Sequence, residues 1–99
     1  AYSISNEKIH YECYDIDIER RIVYKDEVEV SLTTLEFDLL LMFLNHRNKS
    51  FSREEILKII WGEDYFGSDR VVDDLVRRLR KKMPKAHIHT IYGYGYRLI

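Results

Sequence analysis

Residues 69–85 carry seven Lys and Arg against three Asp and Glu. Guanidinium groups fork onto guanine O6 and N7 or onto phosphate oxygens, so a helix with several on one face has the chemistry to hold and read a nucleic acid. At the α-helical period, Val72, Val76, Leu79 and Met83 line one stripe, with Leu75 beside it. Opposite them fall Arg70, Asp74, Arg77, Arg78 and Lys81, with Arg80 and Lys82 on the flanks. A solvated surface would produce the same pattern, so the face alone does not decide. Leu75 either packs on thymine methyls or widens the core stripe, and the second is expected.

Other chemistries find less support. His87 and His89 stand two apart and could share one face of a strand, but no third ligand is evident. Cys13 is the single cysteine, which excludes an internal disulfide and a thiolate zinc framework and favours a reducing, cytoplasmic setting. Gly93-Tyr94-Gly95 lacks a third glycine and precedes no helix, so it is no nucleotide fingerprint. Nucleophile, base and orienting group do not occur together in a recognisable motif. A non-enzymatic protein with no metal and no cofactor is expected.

The elements that must position the basic face follow from the change of period along the chain. Over residues 8–31, Ile16 and Ile18 alternate with Asp15, Asp17 and Glu19, and Val28 and Val30 alternate with Glu27, Glu29 and Ser31. That pattern predicts an antiparallel sheet of three or four strands with one apolar and one acidic face, and a hairpin turn at Lys25-Asp26. Thr33-Thr34-Leu35-Glu36 and Ser52-Arg53-Glu54-Glu55 are capping boxes, each opening a helix. The first helix is apolar nearly all round and should be the central one, and the second stops at Gly62, with Trp61 expected in the core. Residues 62–68 form a loop, Ser68 or Asp69 caps a third helix that runs to Met83, and residues 87–99 alternate as a hairpin.

The composition, 45% hydrophobic and 33% charged over 99 residues, fits one small α+β domain spanning residues 1–99. Formal net charge is −1, but it is unevenly spread: residues 1–45 hold four Lys/Arg and ten Asp/Glu, and residues 46–99 hold twelve and seven. Such asymmetry can aim one face at a polyanion and keep the other off it. No apolar run approaches the roughly 18 residues of a membrane span, so no membrane partner is expected.

Several motifs in order, over essentially the whole chain, resemble the output domains of OmpR/PhoB-family response regulators. They are Leu32-Thr33 with Glu36, Leu39 and Leu40; Ser52-Arg53-Glu54 with Leu57 and Trp61-Gly62; Asp69-Arg70-Val71-Val72-Asp73 with Arg78-Leu79-Arg80-Lys81-Lys82; and Thr90-Ile91 with Gly93-Tyr94-Gly95-Tyr96-Arg97-Leu98. The resemblance implies a winged helix-turn-helix: a four-stranded N-terminal antiparallel sheet, a three-helix bundle, a short strand near Phe51 and a C-terminal β-hairpin wing. It implies sequence-specific binding of double-stranded DNA at tandem half-sites, in control of transcription by a two-component system. It also implies a receiver domain before Ala1, a sensor histidine kinase acting on that domain, and contact with RNA polymerase through Glu63, Asp64, Tyr65 and Phe66. Ala1 in place of an initiator Met fits a piece of a longer chain.

Within that frame Arg78, Asp74 and Lys81 are expected at base edges, and Arg70, Arg77 and Arg80 at phosphates. One departure concerns the wing, where Tyr92 occupies the position commonly held by Arg, and Tyr94 lies between the glycines. Both are expected to touch sugar and phosphate, unless Tyr92 packs back as a core aromatic. The domain alone is expected to be a monomer, because no apolar stripe is left over. The alternatives are a winged-helix protein-interaction module and the DNA-binding domain of a membrane-tethered regulator. Basic residues where a protein groove would want apolar anchors weigh against the first.

Overall fold

The computed structural model describes residues 8–99; the first seven residues of the expected domain range lie outside them. Four short strands come first, β1 (Lys8–Tyr11), β2 (Tyr14–Asp17), β3 (Ile22–Lys25) and β4 (Val28–Val30). They pair antiparallel in the order β1-β2-β3-β4. Then follow α1 (Thr34–Asn45), β5 (Ser50–Ser52), α2 (Arg53–Trp61), α3 (Arg70–Lys82), β6 (Ile88–Ile91) and β7 (Gly95–Leu98). The last three strands form a second antiparallel sheet in the order β5-β7-β6. This is the α+β winged-helix architecture expected of the sequence.

The first sheet differs from its expected form in two places. The β3–β4 turn falls at Asp26-Glu27, one residue later than Lys25-Asp26, and Lys25 stays in the ladder opposite Val28. Asp26 and Glu27 both take left-handed backbone, φ 51° and 68°, which is what a two-residue hairpin with right-handed strand twist demands even without glycine. The division into apolar and acidic faces also fails locally. Asp17 is buried and accepts from the Arg20 N–H at 3.0 Å, while Val28, on the edge strand, is exposed.

Both capping boxes close as expected, with the Thr33 and Ser52 hydroxyls each accepting from the N–H three residues on. Helix α1 buries Phe37, Leu39, Leu40, Met42 and Phe43, and α3 lays Val72, Leu75, Val76 and Leu79 against the same core. Helix α3 ends at Lys82, with Met83 as its C-cap, one residue short of the expected end. Two tyrosines tie the first sheet to the approach of the hairpin. Tyr11 Oη accepts from the His87 N–H at 2.9 Å and donates to the Ile99 carbonyl, also at 2.9 Å; Tyr14 Oη accepts from the Lys85 N–H at 3.0 Å.

One carboxylate ties the ends of α1 and α3 together. Glu36 is 1% exposed, and its Oε1 accepts from the Thr33 N–H at 2.9 Å and from Lys82 Nζ at 2.7 Å. Burial pushes this carboxyl up, but the Lys82 ammonium and the Thr33 amide together outweigh it and hold the group below the usual carboxylate range. A depressed carboxyl contributes stability that is present above its unfolded pKa and is lost as pH falls through its folded one. The domain should therefore lose stability as pH drops below about 4.3, and Glu36→Gln should flatten that part of the profile. At neutral pH Glu36→Ala should cost about 2 kcal/mol, less than for a fully buried pair because Lys82, 37% exposed, regains water. Thermal melts of both variants across the acid range check the two expectations.

Candidate nucleic-acid interface

The side-chain bond at the start of α3 comes from Ser68, whose hydroxyl accepts from the Arg70 N–H at 3.1 Å, whereas Asp69, the N-cap residue, makes no side-chain cap bond. Its apolar stripe is buried, Leu75 included, which makes Leu75 a core residue. Arg70, Arg77, Arg78 and Lys81 lie exposed on the other side. Asp74 stands among them, one carboxylate oxygen accepting from Arg77 Nη2 and the other 2.8 Å from Arg78 Nη2. Four of the six α3 residues expected to bind are thus exposed cations on one surface, joined by the carboxylate that pairs two of them.

Arg80 does not stand with them. It is half-buried, and its Nη2 donates to the Ile88 carbonyl at 2.7 Å and to Thr90 Oγ1 at 2.8 Å. Through Nη2 the guanidinium braces β6 against α3. Lys82 likewise turns to Glu36 rather than outward. Helical angle located both on the flanks of the basic face, but the partners that hold them come from 8 to 46 residues away in the chain.

A second group joins residues that no local sequence pattern links. The Asp73 Oδ1 accepts from Arg53 Nε at 2.8 Å and from the Tyr96 hydroxyl at 2.5 Å. Burial pushes the Asp73 carboxyl up, and those two donors more than offset it, holding the group below the ordinary range. Burial and the neighbouring Asp73 charge raise the Tyr96 phenol. The Arg53 and Arg80 guanidiniums lie over the Tyr96 ring, 5.7 and 5.5 Å from its centroid. Helix α2, helix α3 and strand β7 therefore meet at one carboxylate and one ring. The only sequence signal for it is Arg53 directly after the Ser52 cap, a position where a long side chain can reach sideways.

The hairpin turns through Tyr92, Gly93 and Tyr94. Gly93 takes φ 77°, the Tyr94 N–H donates to the Ile91 carbonyl at 2.9 Å, and the Tyr94 carbonyl accepts from the Arg53 N–H at 3.1 Å. A Cβ on Gly95 would run into the Phe51 carbonyl, so only glycine lets β7 pair this closely with β5. With the tip held by backbone bonds, Tyr92 is 91% exposed and Tyr94 46% exposed. Packing of Tyr92 into the core is thereby excluded.

The loop between α2 and α3 sorts its four candidates. Glu63 and Asp64 are exposed, and Phe66 is 93% exposed. Tyr65 is half-buried, its ring 6.1 Å from that of Trp61, and Trp61 packs against the core as expected. His87 and His89 are exposed. His87 Nε2 lies 3.5 Å from Glu12 Oε2, and His89 pairs across the ladder with Arg97. Among the described residues no three His, Cys, Asp or Glu side chains gather as metal ligands, and no helix is long and apolar enough to cross a membrane.

A capped two-helix unit, a third helix basic on its outer face and a braced hairpin beside it define a winged-helix domain. Residues 27–98 match the family model described as "Transcriptional regulatory protein, C terminal", and the chain belongs to that family. It is 50% identical over 100 residues to the transcriptional regulatory protein CssR of Bacillus subtilis strain 168, covering all of this chain and 44% of that protein. The chain thus spans less than half the length of this curated relative. The crystal structure of the DNA-binding domain of CssR superposes with a TM-score of 0.85 at 54% identity, over 87% of this chain and 99% of that one. The Klebsiella pneumoniae RstA DNA-binding domain, solved in complex with the RstA box, gives a TM-score of 0.81 at 32% identity, over 93% and 96% of the two chains. The response regulator DrrB of Thermotoga maritima, an OmpR/PhoB homolog, gives 0.81 at 28% identity over 92% of this chain and 43% of its own.

Removing the Tyr96 hydroxyl tests the junction. Tyr96→Phe keeps the ring beside its two guanidiniums but takes one donor from a charged carboxylate, and should cost about 1.5 to 3 kcal/mol. Denaturant titration of the variant, beside an Asp73→Asn control, reads the loss.

Proposed function

We propose that this chain is the DNA-binding output domain of a two-component response regulator, with α3 in the major groove and the β6–β7 hairpin on the adjoining backbone or minor groove. The observation that carries it is the exposed set Arg70, Arg77, Arg78 and Lys81 on α3, next to a hairpin tip fixed at Tyr92-Gly93-Tyr94. Arg78 and Lys81, with Asp74, face base edges; Arg70 and Arg77 hold phosphates; Tyr92 and Tyr94 contact sugar and phosphate with little sequence preference.

In this proposal a receiver domain lies N-terminal to residues 1–99 in the full protein and is the substrate of a sensor histidine kinase in the cytoplasm. The output domain is a monomer by itself and occupies tandem half-sites in pairs. Phe66, exposed beside the acidic Glu63 and Asp64, forms the contact to RNA polymerase; Tyr65 holds that loop to Trp61.

Titration of duplex DNA at several salt concentrations tests the reading. Affinity should fall steeply with salt, each neutralised phosphate adding about −0.9 to the log-log slope. Arg77→Ala should weaken all sequences alike and flatten the slope by about one, whereas Arg78→Ala should cost about 1 to 3 kcal/mol on the preferred site and relax one or two base pairs. A slope near zero for the unaltered chain would overturn the assignment.

At the wing, the phenol of Tyr92 is uncharged near neutral pH and releases no counterion. Tyr92→Phe should therefore weaken binding by about 0.5 to 1.5 kcal/mol with the slope unchanged. Tyr92→Arg should steepen the slope by about one and strengthen sites with a narrow A-tract minor groove. Anisotropy titrations of the two variants measure both.

A further inference from the structure

Asp74 sits where a surface built only for affinity would carry no carboxylate. Half-exposed, it stands among the exposed cations of α3, with Arg70 one turn before it and Arg77, Arg78 and Lys81 one and two turns after it, whereas the carboxylate of Asp73 is taken up by Arg53 and Tyr96. Its two oxygens pair with Arg77 and Arg78 at helical spacings of three and four. Exposed pairs of this kind add little to stability, so folding does not require the charge. On a polyanion it works against binding: every phosphate approaching Arg77 or Arg78 meets a carboxylate already holding that guanidinium.

We propose that Asp74 is a specificity-determining residue that lowers affinity for arbitrary duplex and accepts from a cytosine amino group beside the guanine contacted by Arg78. This rests on α3 being the helix that enters the major groove. An ionised carboxylate is an acceptor only. Guanine O6 and N7 and thymine O4 are acceptors too and would face it unfavourably, and adenine sets its N6 donor beside the N7 acceptor, whereas cytosine N4 presents a donor with no N7 acceptor next to it. Arg78 lies one helical turn beyond Asp74 on the same face, so the two reach neighbouring base pairs. At a matching site Arg78 turns to guanine, Arg77 turns to a phosphate, and the cytosine amino group replaces them as the partner of the carboxylate. Opposite guanine or thymine the carboxylate either keeps its two arginines, withholding them from the DNA, or is left without a donor, and opposite adenine it gains the N6 donor only against the repulsion of N7. Discrimination then comes from what is refused as much as from what is bound.

Selection of bound duplexes from a randomised library, run with the unaltered chain, Asp74→Ala, Asp74→Asn and Arg78→Ala, tests this, with affinity for a single random-sequence duplex measured in parallel. The unaltered chain should enrich cytosine at one position next to the guanine whose enrichment Arg78→Ala abolishes. Asp74→Ala should lose the cytosine preference at that position alone, and bind the random duplex about three- to tenfold tighter with a salt slope steeper by about one. Asp74→Asn should move the preference at that position to adenine, because an amide both donates to N7 and accepts from N6. Unchanged base preferences and unchanged affinity for random duplex in both Asp74 variants would overturn the proposal while leaving α3 as the reading helix. If Arg78→Ala also leaves affinity and preference unaltered, the placement of α3 in the groove falls and the proposal with it.

Discussion

Everything the outer surface of α3 can do depends on where the hairpin stands beside it, and that relation is set at the Asp73 carboxylate. It takes one donor from Arg53 at the start of α2 and one from Tyr96 in β7. The Arg53 guanidinium and the Tyr96 phenol converge there and the Arg80 guanidinium lies over the same ring, so without the carboxylate the ring would sit beside two cations with no anion to offset them. With it, one of the two cations is paired and the ring stays buried. A hairpin of two four-residue strands is marginal by itself. It becomes a fixed part of the surface here because Tyr96 is pinned to Asp73, Thr90 and Ile88 to Arg80, and the tip carbonyl of Tyr94 to the backbone of Arg53.

The near-zero net charge hides a division of labour among the acidic residues. Several carboxylates do local structural work: Asp17 holds the turn after β2, Glu36 closes the cap of α1, and Asp38 pairs with Arg21 at 2.6 Å. Others, such as Asp15 and Glu29, stand on the exposed side of the first sheet. The basic residues divide in the same manner. Lys82 and Arg80 face partners inside the domain, and Arg70, Arg77, Arg78 and Lys81 face solvent. A count along the chain registers the sum of both groups. The field at the surface comes from the outward group, which is more strongly segregated than the composition suggests.

Features set by local rules were legible in the sequence. Both capping boxes, the apolar stripe of α3 and the alternation of the C-terminal strands depend on residues within a turn or a pleat of one another, and the ordered run of motifs added the winged-helix topology. Boundaries were less legible, since the β3–β4 turn uses Asp26 and Glu27 in left-handed conformations that neither residue announces. Long-range polar pairing was not legible at all. Helical angle places Arg80 and Lys82 on the flanks of the basic face but carries no information on whether a carbonyl, a hydroxyl or a buried carboxylate waits beside them. The Asp73 junction escaped for the same reason, because its three members are 20 and 23 residues apart and none is unusual where it stands.

The hairpin tip shows how such a scaffold separates holding from contacting. Gly95 permits the close pairing of β7 with β5, Gly93 supplies the left-handed turn, and backbone bonds from Tyr94 to Ile91 and Arg53 complete the closure. None of these uses the side chain of Tyr92, which is left almost wholly in solvent. The α2–α3 loop is arranged alike: Tyr65 packs on Trp61, and that contact leaves Phe66 outward. A side chain that contributes nothing to the closure of its own loop can be exchanged without disturbing the fold. The positions with that freedom, Tyr92, Phe66 and the outward face of α3, are therefore the ones at which a domain of this architecture can change what it touches while keeping the same core.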